Sequence, residues 1–182
     1  MKPSRRVFLK SATSGALGSG MIFQGCNPAG TPETTVNYSA LDKELGRPVL
    51  KAGLFPDPVI IDRLELLRFN DNFICRVTSK DGAEGISVGN NAQLASLYPV
   101  FTNRLQPFFP GKDARDWESL LEKVYVYKSN YKLQNLALWV PLATIEFAIL
   151  DMLGKIIGKP IGDLIGSVHH PQIAVYQANN FR

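Results

Sequence analysis

The chain has 182 residues, 45% of them hydrophobic and 20% charged, the composition of an ordinary globular protein rather than a disordered or fibrous one. Its formal charge is +4 and its pI about 9.1, yet Lys2, Arg5, Arg6 and Lys10 supply four positive charges and the first 25 residues hold no acid. The remainder is neutral overall, which excludes a nucleic-acid partner recognised through a net basic footprint.

The basic N-terminus has its own logic. Ser4-Arg5-Arg6-Val7-Phe8-Leu9-Lys10 is followed by an uncharged Ala/Gly/Ser-rich run to Gly25. That order of charged, weakly apolar and polar stretches is an export signal, too short and glycine-rich for a membrane span. The paired Arg5 and Arg6 followed by Phe-Leu-Lys resemble a twin-arginine signal, which exports folded proteins. Phe23-Gln24-Gly25-Cys26 has the glycine-cysteine end of a lipobox, with Phe23 and Gln24 atypical. Residues 1–26 are therefore expected to be a signal peptide, and the protein to be periplasmic or, if Cys26 is acylated, anchored to the membrane by lipid. Simple peptidase cleavage nearby is the alternative. Cys75 lies in the apolar run Phe73-Ile74-Cys75-Arg76-Val77 and reads as a small core residue.

Residues 27–57 contain Pro28, Pro32, Pro48 and Pro56 with no sustained period, and read as a linker or an irregular N-terminal arm. Regular structure is expected from about Pro58. Val59 to Phe69 is β-rich and partly alternating, Asn70-Asp71-Asn72 is a turn cluster, and Phe73 to Thr78 alternates again. Lys80-Asp81-Gly82 makes a second tight turn before a short strand from Ala83 to Val88. These segments predict a three-stranded antiparallel meander.

The period then becomes helical. Ala92, Leu94, Ala95, Leu97, Tyr98, Phe101 and Leu105 share a face interrupted at Pro99, and Pro107 and Pro110 end the segment. Asp113 is placed to cap a helix carrying Trp117, Leu120, Leu121, Val124 and Tyr125. A third helix is predicted from about Pro141, suited to a first helical position, to Ile157. It is apolar almost all round and must be buried on most sides. Gly158 suits its C-terminal cap, with Pro160 beyond. Strands followed by helices make an α+β unit over residues 58–166.

The stretch from Ala143 to Gly166 resembles a segment of the mandelate racemase/muconate-lactonizing branch of the enolase superfamily. That segment runs acid-x-Ala-Leu-Trp-Asp-Leu-x-Gly-Lys-x-x-Gly-x-Pro and ends in Leu-Leu-Gly. Glu146, Ala148, Asp151, Gly154, Lys155, Gly158, Pro160, Leu164 and Gly166 fall in register, while Ile149, Leu150 and Met152 depart but stay apolar. The meander with its Asp-Gly turn and the two preceding helices agree in order with the family's enolase-like N-terminal capping domain.

The resemblance implies an exported Mg²⁺-dependent enzyme that abstracts a proton α to a carboxylate. Racemisation, cycloisomerisation or sugar-acid dehydration would follow, in a homo-oligomer acting on a small carboxylate or sugar acid. In the family the chemistry belongs to a (β/α) barrel of roughly 250 residues. Here Ile173-Ala174-Val175-Tyr176-Gln177 reads as its first strand, so residues 167–182 are expected to begin a truncated barrel. No catalytic residue and no metal ligand can be placed in this chain. A standalone, non-catalytic capping module that binds a partner is the competing reading.

Substrate contacts implied by the resemblance lie on two loops and a strand end. The loop between strands one and two, Arg68 to Phe73, is short, so the site is either open or closed by another segment such as the arm at 27–57. Asn90 and Asn91 follow strand three and can hydrogen-bond a polar substrate; the alternative is that they cap the next helix. Gln177, Asn179 and Asn180 would face the rim of the site, with Gln177 and Asn179 as substrate contacts. Glu146 and Asp151, five apart and so about 140° around a helix, make no acid/base pair. Asp151 and Lys155 suit a surface ion pair, and Gly154 is expected to admit a following domain. The run from Gly154 to Pro160 lacks phosphate-loop spacing. Gly158, Gly162 and Gly166 are interrupted by charges that exclude a membrane helix, and His169-His170 reads as loop without further ligands.

Overall fold

The computed structural model describes residues 37–167 and 169–175. The leader, with Arg5, Arg6 and Cys26, lies outside them, as do Gln177, Asn179 and Asn180. The chain divides into two compact units, Met1–Asp42 and Lys43–Arg182. Of the first, residues 37–42 are described. They open helix α1 (Ser39–Leu45), whose Ser39 amide donates to Asn37 Oδ1 at 2.9 Å.

In the second unit β1 (Ile61–Phe69), β2 (Asn72–Ser79) and β3 (Glu84–Val88) form the predicted antiparallel meander in the order β1-β2-β3. Phe69 pairs with Asn72, so the first connection is the two residues Asn70 and Asp71, with Asn70 at φ +53°. Side chains alternate as a pleat requires. Phe73, Cys75 and Val77 are buried on the inner face, while Leu67, Phe69, Ile86 and Val88 stand exposed on the outer one. The register shifts between Ile61 and Arg63, and the Gln106 amide donates to the Leu64 carbonyl at 2.7 Å. A bulge and an occupied carbonyl both discourage further strands from adding to the β1 edge.

Helix α2 (Asn91–Val100) carries Pro99 within it and continues through a π-helical turn at Phe101–Leu105 and a 3₁₀ turn at Gln106–Phe108. Proline has no N–H for the ladder, and Thr102 Oγ1 donates to the Tyr98 carbonyl at 3.1 Å just beyond it. Of the predicted stripe, Leu94, Phe101 and Leu105 are buried but Ala92, Ala95 and Tyr98 are exposed. Asp113 caps a 3₁₀ turn, accepting from the Arg115 amide, ahead of α3 (Trp117–Val126), which buries Trp117, Leu120 and Val124.

Helix α4 (Leu136–Ile157) starts five residues earlier than predicted, with Pro141 buried inside it. Only one ladder bond, to the Ala137 carbonyl, is lost there, and the apolar residues ahead of it carry the helix on. The helix is long and apolar enough to cross a bilayer, but 56% of its most apolar window is buried in the unit, as befits a core helix. Leu138, Leu142, Ile145, Ile149, Met152 and Leu153 are fully enclosed. Gly158, at φ +64°, ends it in a left-handed cap, with the Lys159 amide donating to Gly154 O at 2.9 Å. Helix α5 (Ile161–Ile165) follows Pro160.

Of the two readings of residues 27–57, Lys43 to Asp57 takes that of an irregular arm, folded into the second unit. Leu50 and Phe55 are buried in the core, and Lys51 Nζ donates to the carbonyls of Asp163 and Gly166 at 3.0 and 2.6 Å. Gly154 is required within its own capping turn, because a Cβ there would meet the Lys159 carbonyl oxygen at 2.7 Å. Residues 173–175 carry no ladder among the described residues, and Ile173 and Val175 are exposed. Tyr176 and Gln177, the rest of the expected first barrel strand, lie outside them.

Candidate functional site

The seam between β3 and α4 fixes everything around it. A Cβ on Gly85 would lie 2.7 Å from Met152 Cβ and closer still to the Ala148 carbonyl oxygen, so only glycine lets strand and helix approach. Asp151 Oδ2 accepts the Ile86 amide at 2.8 Å and pairs with Lys155 Nζ at 2.7 Å. Ser87 Oγ donates to the Thr144 carbonyl. The predicted Asp151–Lys155 pair thus exists, but Asp151 mainly satisfies an edge-strand N–H that would otherwise be unpaired.

This seam carries the β3–α2 loop to the same end of the sheet as the β1–β2 tip, since Val88 pairs with Ile74. Gly89 sits against Thr144 Oγ1, and a Cβ there would also meet Leu94 Cδ1 at 2.8 Å. Asn90 Oδ1 accepts the Gln93 amide at 3.2 Å and caps α2. Asn91 Oδ1 accepts the Phe73 amide at 2.8 Å, and its Nδ2 donates to Asn72 Oδ1 at 2.9 Å. The structure therefore assigns both asparagines work inside the fold: one caps, the other ties the tip of the hairpin to the helix.

Sequence reasoning passed over the side chains this end exposes. Arg68 donates through Nε to the Asn70 carbonyl at 2.9 Å, and its guanidinium lies 5.5 Å from the Phe73 ring centroid. Tyr98 stacks on Phe73 at 6.4 Å, and Phe69 is 73% exposed. The Arg68 guanidinium and the Tyr98 ring lie on the inner face, with Phe69 on the outer face of the same tip. A guanidinium so placed beside a pinned loop can orient an anionic molecule. Strand parity was the available signal: counting by two from inward Leu64 puts Phe69 outside.

Of the expected alternative lid, the arm at 27–57, Leu54 to Asp57 lie at the other end of the sheet. Leu54 to Val59 line a cavity of about 260 Å³ with Ser79, Asp81, Ala83, Ile156 and Ile157, at the β2–β3 turn. Glu146 is half-buried on α4, and burial raises its carboxyl above the usual range; it forms no acid/base pair with Asp151. His169 and His170 are exposed, with the Ser167 hydroxyl 3.0 Å from His169 Nε2. Cys75 is a free buried thiol, pushed up to about 12 by burial against a lowering hydrogen bond with Ser87. Among the described residues no three of His, Cys, Asp and Glu converge as metal ligands. The described residues therefore do not fit Mg²⁺.

No protein-family model matches the chain. Over 107 residues it is 25% identical to a D-mannonate dehydratase from Caulobacter vibrioides, covering 58% of this chain and 26% of that one. Over 122 residues it is 26% identical to a D-mannonate dehydratase from a Sphingomonas species, covering 65% and 30%. Among solved structures it is similar to a mandelate racemase/muconate lactonizing protein from Paracoccus denitrificans complexed with magnesium. That match has 25% identity and a TM-score of 0.51, covering 62% of this chain and 31% of that one. The chain spans less than a third of the length of the curated relatives it matches. The three-stranded sheet with its helices is the fold of the enolase-like N-terminal domain of such neighbours.

Proposed function

We propose that this chain is the capping portion of an exported, Mg²⁺-dependent enzyme of the mandelate racemase/muconate-lactonizing kind, removing a proton α to the carboxylate of a small acid or sugar acid. The observation that carries the proposal is the closed β3–α4 seam, built on motif residues Ala148 and Asp151 in a fold whose curated relatives include D-mannonate dehydratases. Dehydration of a sugar acid is therefore the reaction to test first. The capping portion contributes specificity: Arg68 and Phe69 face the substrate, together with Gln177 and Asn179 and the amide of Asn90. Metal ligands and bases come from a barrel that acts with it, in a homo-oligomer. The natural protein, immunoprecipitated from its host and supplied with Mg²⁺ in D₂O, is expected to dehydrate D-mannonate or a related acid, or to exchange the acid's α proton with solvent. Dehydration loses the β-hydroxyl as water and takes up deuterium at C3 as the enol ketonises. The 182-residue chain alone is expected to do neither. Absence of both product and exchange across a panel of such acids would overturn the enzyme reading.

A standalone capping module that binds a partner is the second reading. Product or exchange from the natural protein decides against it. Export by the twin-arginine route belongs to the same proposal, with Cys26 as the lipid attachment point. Arg5→Lys with Arg6→Lys is expected to leave the protein in the cytoplasm on fractionation, and export of that double variant would sink this part alone.

A further inference from the structure

Overall neutrality conceals a local asymmetry. From Lys123 to Ile145 the sequence contains no Asp or Glu, and its only charges are Lys123, Lys128 and Lys132. The segment comprises the end of α3, the connection to α4 and the first turns of α4. Its lysines are all exposed, and none has an ion-pair partner among the described residues.

The same segment exposes rings that lie together. Tyr125 stacks on Trp139 at 5.9 Å with planes 13° apart, and Tyr131 lies 6.5 Å from Tyr125. Trp139 is 49% and Tyr131 45% exposed, and Leu136, one turn from Trp139, is exposed as well. Lys132 Nζ stands 6.0 Å over the Tyr131 ring and Lys128 Nζ 5.2 Å over Tyr127, so the ammonium groups edge the aromatic surface. The connection is held in shape. Lys128 and Ser129 both take left-handed backbone, Arg104 donates to the Lys128 carbonyl at 3.0 Å, and buried Asn130 donates to the Val124 carbonyl at 2.9 Å.

Amphipathic tyrosine and tryptophan rings edged by Lys128 and Lys132 have the composition of an interfacial membrane contact. Exposed Glu122, one turn before Tyr125, stands at the rim. A protein partner would be met as well by mixed charges; an anionic bilayer is complementary to lysine alone. We propose that Tyr125, Tyr131, Leu136 and Trp139, with Lys128 and Lys132, form a docking surface for an anionic lipid bilayer. The surface does not depend on the enzyme reading or on acylation of Cys26. It lays the second unit on the membrane through α3, the connection and the start of α4.

The test uses the full chain with Cys26→Ser and with Lys2, Arg5, Arg6 and Lys10 replaced by serine, so that neither acylation nor leader charge contributes. Vesicles of equal parts phosphatidylglycerol and phosphatidylcholine are compared with phosphatidylcholine alone, by co-sedimentation and tryptophan emission. Binding to the anionic vesicles only is expected, weakened by salt, with a blue shift from Trp139, the other tryptophan, Trp117, being buried. Adding Lys128→Glu and Lys132→Glu should weaken binding at least about tenfold, since each lysine near such a surface contributes about 1 kcal/mol. Tyr131→Ser should weaken it too, with circular dichroism matching the parent for both variants. Equal binding to neutral vesicles, no binding, or unchanged binding by both variants would overturn the proposal. So would a dimer dispersed by Tyr131→Ser in a chain that ignores vesicles.

Discussion

The two ends of the sheet are built for different purposes. At the β2–β3 turn end the arm folds in and is clasped. The Asp113 carboxylate accepts the amides of Val59 and Arg115 at 3.1 and 3.0 Å and the Arg115 guanidinium at 2.8 Å, while Arg115 Nη1 reaches the Phe55 carbonyl at 3.2 Å. Leu50 and Phe55 are buried beneath. At the β1–β2 tip end there is no such covering, and Phe69, Val88 and Tyr98 face solvent above a loop pinned by Asn91. One end closes the core. The other holds a surface still while leaving it accessible, which is what recognition requires.

The seam between the ends should respond most. Gly85→Ala is expected to destabilise the chain by about 3 kcal/mol, the upper end of ordinary overpacking, because the new methyl meets backbone as well as the Met152 side chain. Gly85→Leu should prevent folding. Urea midpoints measure the first and soluble yield the second. A wild-type midpoint for the alanine variant would mean that β3 and α4 can part at no cost.

The clasped end comes next. Burial raises the Asp113 carboxyl, but hydrogen bonds from the Arg115 side chain and amide and the Val59 amide, with the Arg115 charge, hold it below the ordinary carboxylate value. A folded pKa below the unfolded one contributes stability that is present above the unfolded value, near 3.9. That contribution is lost as pH falls through the folded value. Asp113→Ala should cost about 1–2 kcal/mol at neutral pH by orphaning two amides, and should flatten the acid limb of the stability profile. An unchanged acid limb would assign that limb to other groups.

Local chemistry made much of this legible. The alternation of β2, the Lys80-Asp81-Gly82 turn and the glycine cap at Gly158 each depend on neighbours a few residues away, and the sequence shows them directly. The α4 motif was legible through its spacing, although Pro141 suggested a start where the helix is already under way. Long-range pairings were not legible. Nothing in the composition of residues 43–57 marks Leu50 and Phe55 as core, and Gly154 carries no mark of what it touches. For the same reason Asn90 and Asn91 read as substrate contacts or as caps until the partners Gln93, Phe73 and Asn72 were located.

Asn91 links the two ends of the comparison, since it is structural but stands at the open end. Asn91→Ala removes the acceptor of the Phe73 amide and the donor to Asn72, so a loss of about 1 kcal/mol is expected. Hydrogen exchange should localise the change, with faster exchange at Phe73 and Asn72 and unaltered protection at Ile86. Uniform loosening of all three strands would show that the tip and the seam are one cooperative unit.

The smallest effect should come from Phe69, and it is the most discriminating. Phe69 is the last residue of β1, pairs with Asn72, and leaves 73% of its surface in solvent. An exposed ring contributes little to folding, because its apolar area is not removed from water. Phe69→Ser is therefore expected to shift stability by less than about 0.5 kcal/mol, while reducing the binding of a hydrophobic dye to the outer face. On the proposed enzyme reading, the same change in the natural protein should raise KM for an acid substrate and leave kcat nearly unaltered, since a residue that only contacts bound substrate contributes equally to ground and transition states. A stability loss above 1 kcal/mol would place Phe69 in the core's support and close the open end. A fall in kcat at constant KM would instead move it toward the reacting atoms, which a strand tip carrying no acid/base pair is not built to reach.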